Sequence, residues 1–284
     1  MRLRNWLLFL LMIFLWGSNW SVMKRGLDFI PPITFVLLRF LFSTLALSPF
    51  LFLFRRGLPR DKDTLSKLLL LCLINALGIA ASNVGLVFEE SGMGAVLTYT
   101  QPLFVFCLAV LFLKEEVKTL RLLGLVIGFM GVTVLFLREY SSLTALSYPD
   151  LMMFLGAFTW AVTTVYYKKF LSHVNPTLAN ILLLGVGVLP LAALSLTREA
   201  FTFQWTGTNL GIVLYSSLAA SAIGSTIWLI LLKEEDAVTL SASSLIVPII
   251  ALLFGWQLLG ENIEVESLIG SSLVLMGVYL VNRT

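Results

Sequence analysis

The chain carries one residue pattern twice, and this repeat constrains its fold more than any other feature. Both copies read Pro-x12-Glu-x8-Gly-x6-Gly; they comprise Pro102, Glu115, Gly124 and Gly131, and then Pro248, Glu261, Gly270 and Gly277. The starts of the two halves also match, since Trp16, Lys24 and Pro32 correspond to Trp160, Lys168 and Pro176. Two similar units are therefore predicted, at residues 1–139 and 140–284.

The composition places both units in a lipid bilayer. Of 284 residues, 58% are hydrophobic and only 12% are charged, whereas soluble domains carry about 25% charged residues. Too few polar side chains remain to cover a water-facing surface. The net charge of +3 gives no argument for nucleic acid as a partner. Cys72 and Cys107 lie in apolar runs and are predicted to be small core residues, without a disulfide or a metal.

An all-α membrane protein with ten transmembrane helices is predicted. Apolar stretches of the length that a spanning helix needs recur at 6–23, 33–54, 67–88, 92–113, 119–137, 151–168, 177–197, 208–231, 237–258 and 265–281. Arg2 and Arg4 precede the first stretch as in a signal peptide, but no Ala-x-Ala cleavage site follows it. We expect this stretch to be retained as the first helix.

The distribution of basic residues predicts the orientation of these spans. With the amino terminus in the cytoplasm, 14 Lys and Arg residues fall inside and 4 fall outside, while Arg39 lies within the second span. The positive-inside rule then places both termini in the cytoplasm, and the cell membrane is the expected location. Since each copy holds an odd number of spans, the second copy is predicted to be inverted. Inverted repeats of this kind are typical of carriers that expose a shared site alternately to the two sides.

Polar and aromatic groups within the spans are the candidates for a substrate pathway, because each one costs free energy in hydrocarbon unless it finds a partner. The candidates are Trp16, Asn19, Trp20, Arg39, Asn83, Tyr99, Gln101, Trp160, Thr163, Thr164 and Ser244. Asn75, Asn180 and Gln257 stand out for the same reason. The alternative for each residue is an interhelical hydrogen bond with no role in transport.

Arg39 also has two interpretations. It is a strongly basic residue within a span, and its counterpart in the second half is Leu183. The guanidinium either reaches up to the membrane interface or forms a fixed positive charge in the pathway that attracts a carboxylate or another anion.

The remaining motifs have structural or conformational interpretations. Pro102 and Pro248 interrupt their spans at matched positions and indicate either static kinks or hinges. Close helix packing is predicted where small residues recur at helical spacing; these residues are Gly124, Gly131, Gly270 and Gly277. The acidic residues all fall in or beside connections, and His173 falls in a loop, which argues against obligatory proton coupling. No motif of a catalytic, metal or cofactor site is present, so no enzyme activity and no cofactor are expected.

Taken together, these motifs resemble the drug/metabolite transporter superfamily and, within it, the EamA-type family. The resemblance rests on the segment from Trp16 to Trp20, on Arg39-Phe40 and on both copies of the Pro-Glu-Gly-Gly pattern. It implies two inverted five-helix repeats around a central cavity, and export of small metabolites, often amino acids, by a secondary mechanism. A nucleotide-sugar or other organic-anion carrier and a non-transporting scaffold or receptor are the alternatives. The substrate, direction, coupling ion and oligomeric state stay open.

Overall fold

A computed structural model describes residues 2–54, 57–116, 118–135, 147–200, 203–263 and 265–283. Within these ranges the chain is helical and contains no β-strand. The α-helices are α1 (Leu3–Leu27), α2 (Pro32–Phe54), α3 (Lys62–Leu86), α4 (Ser91–Thr98), α5 (Gln101–Leu113), α6 (Thr119–Leu135), α7 (Tyr148–Tyr166), α8 (Pro176–Arg198), α9 (Gly207–Tyr215), α10 (Ser225–Glu234), α11 (Ala237–Ser243), α12 (Val247–Leu259) and α13 (Val265–Asn282). Wider π-helical turns follow α7 at Tyr167–Leu171 and join α9 to α10 at Ser216–Gly224.

Seven helical segments of the described chain are long and apolar enough to cross a membrane. They are Leu3–Leu27, Pro32–Phe54, Lys62–Leu86, Ser91–Leu113, Pro176–Arg198, Gly207–Glu234 and Ala237–Leu259. These correspond to seven of the ten predicted spans. The other three predictions coincide with α6, α7 and α13, of which α6 and α13 contain shorter apolar helices at Thr119–Gly131 and Ile269–Asn282. The protein is therefore a multi-pass membrane protein, while the total of ten crossings stays a prediction.

The matched prolines stand where two of these segments change direction. Pro102 occupies the first turn of α5, directly after the break that separates α5 from α4. Pro248 occupies the first turn of α12, after a short 3₁₀ turn at Ser244–Ile246. Proline is tolerated in the first turn of a helix because the N–H that it lacks has no intrahelical partner there. Both segments are thus broken helices, and the proline begins the second part of each.

Helices of the first half pack mainly against helices of the second half. α1 packs against α12 and the π-helical segment Ser216–Gly224, and the corresponding α7 packs against α5 and α3. α2 packs against α8 and the same π-helical segment, and α8 in turn packs against α3. Many large apolar side chains remain exposed on the outer surface, among them Phe52, Leu111 and Leu189. Such a surface requires lipid as its solvent.

The glutamates of the repeated pattern bind the amino ends of helices in the other half. The Glu261 carboxylate, after α12, accepts hydrogen bonds from the N–H and Oγ of Ser91 at the start of α4. The Glu115 carboxylate, after α5, accepts from the N–H groups of Ala237 and Val238 at the start of α11. A carboxylate at this position satisfies donors that have no partner within the helix and interacts favourably with the helix dipole. The segments α4–α5 and α11–α12 are therefore antiparallel neighbours that are tied at both ends.

The turns that present these glutamates are also alike. Lys114 and Gly260 precede them, and both have left-handed backbone conformations, with φ of 56° and 72°. The following N–H of Glu115 donates to the Ala109 carbonyl, and that of Glu261 donates to the Gly255 carbonyl. Left-handed caps of this kind end many helices, and glycine at 260 adopts one without steric cost.

A second matched pair binds helix carboxyl ends. Lys24 Nζ donates to the carbonyls of Leu86 and Val87 at the end of α3. Its counterpart Lys168 donates in the same way to carbonyls at the end of α10. A cation at a helix carboxyl end stabilises the helix dipole. Residues at equivalent positions of the sequence repeat therefore make equivalent contacts.

The glycines of the repeat bring α6 and α13 into backbone contact. A Cβ added to Gly277 would stand 2.5 Å from the Gly124 carbonyl oxygen, and one added to Gly131 would stand 2.6 Å from Val274 N. The close packing that was predicted for Gly124, Gly131, Gly270 and Gly277 thus occurs within one chain.

Of the two cysteines, Cys72 is buried, as expected for a core residue. Cys107 is exposed, so the expectation that it belongs to the core was wrong.

The turn between α3 and α4 holds a carboxylate whose titration affects stability. Burial raises the pKa of Glu89, the charge of Asp150 raises it further, and Lys24 opposes both effects. Because the pKa is higher in the folded than in the unfolded state, the ionised carboxylate opposes folding above the raised value, and stability increases as pH falls through it.

We expect Glu89→Gln to raise the melting temperature at neutral pH, because the substitution removes the penalty of the buried charge. The difference from the wild type should vanish near pH 4, at about the unfolded pKa of glutamate. Thermal unfolding in detergent across this range measures both values. An equal difference at every pH would show that the effect does not come from ionisation.

Candidate functional site

A cavity of about 170 Å³ lies between helices of the two halves. Its walls come from α1, α2, α3 and α4 of the first half and from α7, α8, the π-helical segment and α10 of the second half. Among the described residues that line it there is no Asp, Glu or His. The described lining therefore offers no acid–base group of the usual kind.

Four aromatic rings form one wall of the cavity. Trp160 lies 5.5 Å from both Trp16 and Trp228, measured between ring centroids, and 5.3 Å from Tyr99. Trp16 and Trp228 are also 5.5 Å apart. The edge-to-face and tilted arrangements are those that aromatic rings prefer. We refer to these four residues as the aromatic wall; it offers a rigid apolar surface to a bound molecule.

The π-helical segment Ser216–Gly224 supplies polar backbone beside the aromatic wall. The Ala220 carbonyl of this segment accepts from Trp16 Nε1 at 3.2 Å and also from the backbone N–H of Ser225. Asn180 Nδ2 donates to the Ser221 carbonyl at 3.0 Å. A Cβ at Gly224 would stand 2.8 Å from Trp16 Cδ1. Glycine at this position therefore allows Trp16 to approach the segment.

Arg39 faces the cavity and is 6% exposed. One terminal nitrogen of its guanidinium donates to Met23 Sδ and the other to Ser221 Oγ, both at 3.0 Å, while Nε has no partner. No ion pair to Arg39 exists within the described part of the chain. The structure thus places this charge inside the protein, which agrees with the interpretation as a fixed charge in the pathway rather than with the one in which it reaches the membrane interface.

Several acceptors around the cavity also lack partners. They are Asn19 Oδ1, Asn83 Oδ1 and Thr98 Oγ1, each of which is buried. A buried polar atom without a hydrogen bond is costly and requires an explanation. The three residues that carry these atoms all line the cavity.

The structure brings together nine of the eleven residues predicted for a substrate pathway. Trp16, Asn19, Trp20, Arg39, Asn83, Tyr99, Trp160, Thr163 and Thr164 line the cavity. Gln101 lies behind the wall, where Nε2 contacts Thr164 Oγ1 at 3.4 Å. Ser244 donates to the Ser241 carbonyl in α11 and does not reach the cavity. Their role in transport stays a prediction.

Many residues that line the cavity were not among those predicted, and three of them belong to one stretch of the chain. Ser221, Ser225 and Trp228 come from the segment that joins the π-helical turns to α10. A signal was present, because Ser217, Ser221 and Ser225 recur at the four-residue spacing that places side chains on one helix face. Asn75 and Asn180, which stand out in the sequence, line the cavity as well, whereas Gln257 is exposed.

The chain matches a known protein family and is similar in sequence to several transporters. Residues 4–137 and 147–283 match the model of the EamA-like transporter family. The "Uncharacterized transporter YoaV" of Bacillus subtilis (strain 168) is 28% identical over 269 residues, which cover 94% of this chain and 92% of that protein. The "Uncharacterized inner membrane transporter YedA" of Escherichia coli (strain K12) is 28% identical over 272 residues, covering 94% and 87%.

A solved structure shares the fold. A crystal structure superimposes with a TM-score of 0.81 at 16% sequence identity, covering 100% of this chain and 98% of the other. At this level of identity the likeness concerns the fold alone.

Proposed function

The chain belongs to the EamA-like transporter family, and from this membership we propose that it is a secondary transporter that exports small metabolites, such as amino acids, by alternating access. The observation that carries the proposal is the cavity between the two halves. It combines an aromatic wall with a buried cation and with acceptors that have no partner within the described chain. Sites for small metabolites usually join an apolar surface to a few placed polar groups.

Matched contacts support a mechanism based on two inverted five-helix repeats, at residues 1–139 and 140–284. Glu115 and Glu261 cap helices at opposite ends of one antiparallel pair, and Lys24 and Lys168 also make equivalent bonds. In such an arrangement the two halves exchange conformations, and the cavity opens first to one side and then to the other. The broken helices that begin again at Pro102 and Pro248 are the proposed hinges.

The charges at one end of the molecule support the proposed orientation in the cell membrane. Arg4 pairs with Glu234, Arg121 pairs with Asp236, and Lys168 binds the same end of α10. A basic end of this kind faces the cytoplasm under the positive-inside rule. Both termini are therefore proposed to be cytoplasmic.

Flux from proteoliposomes tests this function. We expect vesicles that contain the purified protein to release radiolabelled amino acids faster than protein-free vesicles. Trp160→Ala removes the central ring of the aromatic wall, and losing about 2 kcal/mol of binding corresponds to a roughly thirtyfold slower flux at low substrate concentration.

Leu155→Ala is the matched control, since Leu155 lies on the same helix with its side chain 44% exposed. It should leave the flux unchanged. Vesicles that stay tight to a broad panel of amino acids and other small metabolites would contradict transport and favour a scaffold or receptor.

A further inference from the structure

The two halves of the chain contribute different residues to the cavity at one pair of matched positions of the sequence repeat. Arg39 and its counterpart Leu183 both line the cavity, and both are buried, at 6% and 4% exposure. The second half therefore folds around this position with an apolar residue. Since a buried guanidinium carries a large desolvation cost that leucine avoids, packing alone does not account for Arg39.

The segments that surround Arg39 and Leu183 also differ. Arg39 lies against the π-helical segment, where Ser221 Oγ accepts from its guanidinium. Leu183 belongs to α8, which packs against the regular helix α3. The Arg39 guanidinium thus meets an irregular segment directly. π-helical turns occur often at functional sites.

Within the part of the chain that the structure describes, no carboxylate neutralises the charge of Arg39. Its partners are a thioether, which is a weak acceptor, and a serine hydroxyl, and its Nε has none. The described cavity lining contains no carboxylate. A bound anion would supply both the missing charge and acceptors of better strength than a thioether.

We propose that Arg39 and Ser221 hold the carboxylate of the transported compound, so that the protein carries monocarboxylates, zwitterionic ones included, and rejects the corresponding amides. The inference rests on the proposed transport function. A single cation matches a single negative charge, which disfavours sugar nucleotides and other multiply charged anions. The aromatic wall borders the same cavity and provides a surface for the apolar part of the compound.

Counterflow in proteoliposomes with matched pairs of compounds tests the proposal. The pairs are phenylalanine and phenylalaninamide, leucine and leucinamide, and 3-phenylpropionate and 3-phenylpropionamide. For the wild type, we expect the acids to be carried about ten- to hundredfold faster than the amides, which is the range for loss of a charge-assisted hydrogen bond.

Arg39→Leu copies the residue of the second half and should remove this preference, while Arg39→Lys should retain part of it. Leu189→Ala is the control, because Leu189 lies on α8 with its side chain 72% exposed and does not line the cavity; it should leave the preference intact. A structural role for Arg39 would slow acids and amides alike. The melting temperature of each purified variant shows whether it is folded.

The outcomes separate the two proposals. Equal transport of acids and amides by the wild type would overturn the role of Arg39 and leave the transport function standing. The same conclusion follows if folded Arg39→Leu protein still prefers the acids. If no compound of the panel or of the wider metabolite set moves, the transport function fails and the inference fails with it.

Discussion

Replacing Gly277 by valine is expected to prevent formation of the folded protein. Gly277 meets the backbone of α6 directly, so that an added Cβ would stand 2.5 Å from Gly124 O and 2.6 Å from Gly128 Cα. Backbone atoms cannot rotate away as a flexible side chain can. The helices would have to separate along their whole contact, and overpacking costs about 1–3 kcal/mol even where side chains can adjust. For a protein whose total stability is about 5–15 kcal/mol, a backbone clash of this kind is severe.

Gly211→Ala provides the control for this substitution. Gly211 lies in α9, and a Cβ added there has no neighbouring atom within 4 Å. Alanine favours helix over glycine by about 1 kcal/mol, so this variant should be as stable as the wild type or slightly more. The yield of detergent-extracted protein that elutes as a single peak, and its melting temperature, measure both variants. A Gly277→Val protein with wild-type stability would show that α6 and α13 do not pack in this way.

The repeat made much of the fold predictable, because duplicated residues have duplicated tasks. Glutamates at matched positions cap matched helices, and the corresponding lysines bind matched carboxyl ends. Glycine, which stands at 260, is a residue type that favours the left-handed backbone of a helix-ending turn. Its counterpart Lys114 gave no such signal, because non-glycine residues adopt this conformation only where the surrounding structure supports it.

Polarity within apolar spans located most of the polar and aromatic side chains of the cavity, since buried polar groups must meet partners or each other. It failed where the helix is irregular. Ser244 lies in the 3₁₀ turn that precedes α12, and its hydroxyl donates to the Ser241 carbonyl in α11. Ser221 lies within the π-helical segment and Trp228 follows it, and both line the cavity. The wider turns of this segment change the direction in which each following side chain points, so the period of about 3.6 residues in a regular α-helix does not predict which side chains face the cavity.

Removing both caps of the antiparallel pair is expected to cause the second large loss of stability. In Glu115→Ala and Glu261→Ala the first-turn donors of α11 and α4 lose their carboxylate partners. Each loss should cost about 1–3 kcal/mol, the range for unpaired, partly buried donors. The caps lie at opposite ends of the same helix pair, and distant sites act nearly independently. The double variant should therefore lose about the sum of the single variants.

Glutamine at either position separates the contribution of charge from that of the hydrogen bond. Its amide oxygen can still accept, but without the favourable interaction of a negative charge with the helix dipole, which contributes about 0.3–1 kcal/mol at exposed sites. We expect Glu261→Gln to fall between the wild type and Glu261→Ala in melting temperature. Glu116→Ala is the control, because Glu116 adjoins Glu115 and is exposed. If it destabilised the protein as much as Glu115→Ala, a general loss of negative charge at this end would explain the effect, and the specific cap on α11 would not.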